Sequence, residues 1–69
     1  MIEFDLETHP FIELNKLLKI LNFVESGGEA NYVISEGLVI VNSLVETQKR
    51  KKLRVGDVVV FENQKIILV

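Results

Sequence analysis

A chain of 69 residues that is 48% apolar, 26% charged and carries a net charge of −2 has the balance of a folded domain and excludes disorder driven by low hydrophobicity. It contains no cysteine, which excludes a disulfide framework and a thiolate metal centre. No run approaches the ~20 apolar residues of a membrane span, and the acidic start MIEFDLETHP lacks the basic and apolar regions of a secretion signal. One domain over residues 1–69, cytoplasmic and without a membrane partner, is therefore expected.

Ile2, Phe4 and Leu6 alternate with Glu3, Asp5 and Glu7, the period of a strand with one wet face. Thr8-His9-Pro10 ends it, because proline cannot donate to a sheet ladder and biases His9 away from helical angles. Phe11, Leu14, Leu17, Leu18 and Leu21 then follow helical spacing and predict a first helix over about 12–22, with Thr8 or Asn15 as its N-cap. After a short connection, Ser26 and Glu29 form a capping-box pattern that starts a second helix near Gly27. Ala30, Val33 and Ile34 give that helix one apolar stripe, and Gly37 stands where a left-handed C-terminal stop is needed.

Leu38 to Val41 is a β-rich run that Asn42-Ser43 turns back into Leu44-Val45. Glu46 to Lys52 is polar and basic and reads as a solvated loop. Val55-Gly56-Asp57 reads as a turn, Val58 to Phe61 as a strand, Glu62-Asn63-Gln64 as a turn, and Lys65 to Val69 as a closing strand able to pair with its predecessor or with the first strand. The order predicts an α+β fold: two short helices packed on a small, mostly antiparallel sheet.

Catalytic chemistry finds little to use. The single histidine, His9, lies beside a proline in a turn with no nucleophile and orienting group in pattern. Glu3, Asp5 and Glu7 share a strand edge instead of converging on a metal, and Ser26-Gly27-Gly28 lacks the spacing and lysine of a phosphate loop. No enzyme activity, cofactor, metal or small-molecule substrate is expected. The charge, however, is polarised: residues 1–30 hold six acids against Lys16 and Lys19, whereas residues 31–69 hold four acids against six bases. Lys49, Arg50, Lys51, Lys52 and Arg54 fall within six consecutive positions. If they adjoin Lys16 and Lys19 on the polar side of the first helix, the surfaces form a groove able to track a phosphate backbone, with Asn31, Tyr32, Asn42 and Gln48 as neutral hydrogen-bonding or stacking groups.

The succession of these motifs resembles the RNA-binding domain named after ribosomal small-subunit protein four, over about residues 11–61. Leu14-Asn15-Lys16-Leu17-Leu18 is similar to its opening helix, Ser26, Ala30 and Ile34 fall on its second, and Gly37-Leu38-Val39-Ile40-Val41-Asn42 is similar to its turn-and-strand signature. Lys52 and Arg54 match basic positions before its Gly-Asp, here Gly56-Asp57, and the ESGGEA and ETQKRKKLRVGD blocks look closest to a small stand-alone bacterial branch. The resemblance implies a module that binds structured RNA, ribosomal or transfer, through shape and phosphates, and a monomer is expected. Glu13, Gly27 and Asn31 stand where the family often carries arginine, which shifts the weight to Lys16, Lys19 and the Lys49 to Arg54 run. The alternative is a protein-interaction module of the translation machinery that has lost most RNA contacts.

Overall fold

A computed structural model describes residues 1–69. The elements are β1 (Ile2–Phe4), β2 (Ile12–Glu13), α1 (Leu14–Ile20), α2 (Gly27–Ser35), β3 (Val39–Val41), β4 (Leu44–Val45), β5 (Lys52–Leu53), β6 (Val58–Phe61) and β7 (Gln64–Leu68). Five strands form one sheet in the order β1-β7-β6-β3-β4, and β2 pairs with β5 in a separate two-stranded ribbon. All pairings are antiparallel except β1 with β7. The expected α+β arrangement is the observed one, and the closing strand pairs with both of its possible neighbours.

Alternation along the strands decides which face is covered. Val39, Val41, Val59, Phe61, Ile66 and Leu68 are buried, while Ile40, Val58, Val60 and Ile67 between them are half-buried on the other face. The covered face meets Leu14, Leu17 and Leu18 of α1 and Ala30 and Ile34 of α2, and Leu6, Val24 and Leu53 complete one cluster of 14 buried residues. No buried residue is polar or charged. The rings of Phe23 and Phe61 lie 6.2 Å apart across the interface between the interhelical connection and the sheet.

Local chemistry explains most boundaries. Ser26 Oγ accepts from the Glu29 N–H at 3.1 Å, as the capping box requires, although the Glu29 carboxylate accepts from the Glu25 N–H at 2.6 Å instead of from the cap residue. Both helices end in the same way. The N–H groups of Asn22 and Phe23 donate to the carbonyls of Lys19 and Leu18, and those of Gly37 and Leu38 donate to Ile34 and Val33. These are paired Schellman bonds around residues with φ of +61° (Asn22) and +76° (Gly37). The turns Asn42-Ser43 and Glu62-Asn63 also have positive φ at both residues, the type I′ geometry that matches the twist of an antiparallel hairpin.

Four expectations are corrected. The first helix spans Leu14–Ile20 and not 12–22, because Ile12 and Glu13 are taken by pairing with Leu53 and Lys52. Its cap position is Glu13, not Thr8 or Asn15, and no side chain caps it. The basic stretch is not wholly a loop, since Lys52 belongs to β5 and Leu53 is fully buried. At the front of the chain β1 stops at Phe4, so Asp5 and Glu7 lie in a turn in which Asp5 Oδ1 accepts from the Glu7 N–H and Glu7 has a φ of +57°.

Two glycines separate conformational from steric constraint. A Cβ at Gly37 would meet Val45 Cγ1 at an ordinary 3.6 Å, so its positive φ is the obstacle; at Gly27, in the first turn of α2, nothing lies within 4 Å and φ is not positive. Gly37→Ala is expected to lower unfolding free energy by about 1–2 kcal/mol, and Gly27→Ala to raise it by about 0.4–1 kcal/mol. Urea denaturation of the two variants checks the opposite signs.

Candidate nucleic-acid interface

Helix α1 begins where β2 ends, with no intervening turn, so its first amides face the partner of β2 and not a local side chain. The Leu14 N–H donates to the Lys51 carbonyl at 2.9 Å and the Asn15 N–H to the Lys49 carbonyl at 3.1 Å. Two of the amides that a helix N-terminus leaves open are thereby satisfied by the basic segment itself. The segment is held from both ends of its turn: the Lys51 N–H donates to the Gln48 carbonyl at 3.2 Å, and the Gln48 N–H donates to Glu46 Oε2 at 3.0 Å. Lys49 and Arg50 stand at the exposed tip of this turn, Lys51 is half-buried, and Lys52 and Arg54 are exposed.

Phe11 ties the far end of the segment to the front of α1. The Lys52 ammonium lies 4.9 Å from its ring centroid and the Arg54 guanidinium carbon 5.8 Å, both within the reach of a cation–π contact. Phe11 also shares a groove with Glu13, Lys16 and Ile20. Lys16 lies 3.6 Å from the Glu13 carboxylate, and with Lys19 it lines a second, shallower depression beside Ile20 and Asn22. Lys16, Lys19, Lys52 and Arg54 are thus linked through one connected surface that runs from α1 over Phe11 to β5.

The expected neutral residues are placed differently. Asn31 Oδ1 accepts from Asn15 Nδ2 at 3.2 Å and so joins α2 to α1. Asn42 is engaged twice by its side chain: Nδ2 donates to Asp57 Oδ1 at 3.0 Å, and Oδ1 accepts from the Val58 N–H at 2.9 Å. Asp57 Oδ2 in turn accepts from the Arg54 N–H at 2.8 Å. Asn42 therefore positions Arg54 through Asp57, and its amide is spent on that task. Tyr32 is 61% exposed on α2, with its ring open to solvent.

Two contributors escape a reading of the sequence. Phe11 fits the spacing of the helical stripe, so its role under two cations is hidden; the signal is an aromatic placed directly after Pro10, where a helix has not yet begun. Asn15 presents a buried Oδ1 with no hydrogen-bond partner, beside the bonds to Lys49 and Asn31. An unpaired buried acceptor costs about 1–3 kcal/mol, and this one lies at the junction of α1, α2 and the basic turn.

The S4 domain family matches residues 4–69, and the chain belongs to that family. Among its relatives, it is 42% identical to "Putative RNA-binding protein YbcJ" of Escherichia coli (strain K12), over all of this chain and 99% of that one. It is 41% identical over 51 residues to "Probable ribosome maturation protein RlbA" of Bacillus subtilis (strain 168), covering 74% of this chain and 72% of that one. The solution structure of the E. coli protein, described as revealing an αL motif involved in RNA-binding, superimposes with a TM-score of 0.75 over 100% of this chain and 87% of that chain.

Phe11→Leu retains an apolar side chain but removes the ring. The Lys52 ε-methylene and Arg54 δ-methylene protons are expected to lose a ring-current shift in the NMR spectrum, with a stability change of about 1 kcal/mol or less. Unchanged methylene shifts would show that the two cations do not rest on the ring.

Proposed function

We propose that residues 1–69 act as a single non-catalytic RNA-binding module that recognises structured RNA, ribosomal or transfer, by shape and phosphate contacts. One observation carries this reading: the carbonyls of Lys49 and Lys51 are pinned to the first amides of α1, which fixes the turn and strand that carry five bases against the helix that bears Lys16 and Lys19. A mobile basic tail attracts phosphates without selecting a shape, whereas cations set at fixed spacing on a rigid surface match one arrangement of phosphates better than others. The names of the two relatives support an RNA target, and the second of them supports a ribosomal one.

The geometry supports a division of roles. Lys16, Lys19, Lys49, Arg50, Lys52 and Arg54 contact phosphates, and Lys51, half-buried, adds to the local potential. Asn31 and Asn42 act chiefly by holding those residues in place, and Tyr32 offers an exposed ring for stacking. The module works as a monomer, in the compartment where ribosomal and transfer RNA are found. No helix is long and apolar enough to cross a membrane.

Neutralising about four phosphates makes log K fall with log[salt] at a slope of about −3 to −4. Lys51→Glu, Lys52→Glu and Arg54→Glu combined are expected to weaken RNA binding sharply and flatten that slope while the circular dichroism spectrum stays unchanged. RNA affinity that survives this triple reversal, measured by fluorescence anisotropy on a structured ribosomal fragment, refutes the reading.

A further inference from the structure

The groove in front of α1 has a character opposite to that of the basic turn. It lies between the end of β1, the turn that follows it and the outer side of α1, with a volume of about 570 Å³, within the range of pockets that bury a small ligand. Its apolar lining includes Phe4, Phe11, Ile12 and Ile20. Ile20 is 58% exposed although it belongs to a helix whose neighbouring leucines are fully buried. The ionisable lining is three carboxylates, Asp5, Glu7 and Glu13, with one ammonium, Lys16, and the imidazole of His9.

The ion pair between Lys16 and Glu13 at 3.6 Å leaves Asp5 and Glu7 without a cationic partner, and Asp5 is engaged only with the Glu7 amide. The two uncompensated carboxylates, Asp5 and Glu7, attract a cation, whereas Lys16, paired with Glu13, lies where the groove borders the basic surface. The apolar lining gives that cation a place to bury the hydrocarbon of its neighbour, as long side chains commonly do. The first thirty residues, which supply this groove, hold six of the ten acids in the chain.

We propose that this groove docks an extended basic segment of a partner protein, with an Arg or Lys head group on Asp5 and Glu7 and an adjacent apolar side chain against Phe4, Phe11 and Ile20. The module then holds RNA through its basic turn and a basic protein segment through its acidic groove, on neighbouring surfaces that share Phe11. This partner is distinct from RNA, and its docking stands or fails separately from the RNA reading.

The test is an NMR titration of the full ¹⁵N-labelled chain with a short peptide that alternates arginine and leucine. Saturable shifts are expected at amides of residues 4–9, 11–13 and 16–20, and weaker ones elsewhere. Glu7→Gln with Glu13→Gln should weaken binding about fivefold or more, since each exposed ion pair contributes modestly and loss of the Glu13 carboxylate leaves the Lys16 ammonium unpaired in the groove. Ile20→Ala, at an exposed position that leaves the core intact, should weaken it as well, and so should glycine in place of leucine in the peptide. The proposal is overturned if the groove amides do not move, if a glutamate-for-arginine peptide moves them equally, or if the double variant binds unchanged. It is likewise overturned if a single-stranded RNA oligonucleotide moves the groove amides and the peptide does not. RNA shifts at Lys16, Lys19 and residues 49–54, without shifts at residues 4–9, report the basic surface and leave it standing.

Discussion

The structure depends on the amide groups at the start of α1. A helix needs its first N–H groups satisfied, and most short helices use a side chain one position upstream. Here Glu13 provides no such bond, and the acceptors are carbonyls of Lys51 and Lys49, brought in by the pairing of β2 with β5. The helix and the basic turn are therefore one unit: neither start of the helix nor fold of the turn is complete without the other. Because backbone atoms make the contact, the lysine side chains remain available, and their spacing is set by peptide geometry instead of by side-chain packing.

The second constraint is polar and works at longer range along the chain. Asn42 in the β3–β4 turn reaches Asp57, which holds the Arg54 amide, while Asn42 also exchanges backbone and side-chain bonds with Val58. A residue that shares the family's strand signature thus acts on the cation surface without touching it. Charge and placement are divided between different residues: the bases supply potential, and Asn15, Asn31, Asn42 and Asp57 join the elements that carry them.

What the sequence discloses divides by the range of the interaction. The Ser26 cap, the Gly37 stop and the Asn42-Ser43 turn are decided by residues within a few positions of one another, and they are legible for that reason. The start of α1 is not, because its acceptors come from Lys49 and Lys51, far along the chain, and because Ile12 lies in a strand directly before the helical stripe begins. Phe11 is hidden for the same cause: the periodicity that marks a buried stripe cannot distinguish an aromatic inside a helix from one just before it. The basic cluster is visible as composition, but its rigidity arises only from tertiary pairing. The placement of Asp5 and Glu7 in a turn with Glu7 at positive φ leaves no local signal beyond the loss of strict alternation after Leu6.

The parallel pairing of β1 with β7 sets Ile2 against Ile66, so an edge strand of three residues is anchored to the other end of the sequence. Antiparallel neighbours can zip from a hairpin, whereas this contact must close the whole chain before it gains anything, and loop-closure entropy delays it. Of the pairings in the fold, β1 with β7 therefore closes the longest loop, longer than that between β2 and β5. The wall that carries Phe4 is an edge with ladder bonds on one side only, so local fluctuation can release it without opening the core. The cationic face closes the loop between β2 and β5, whereas the acidic groove exists only once the two ends of the sequence have met.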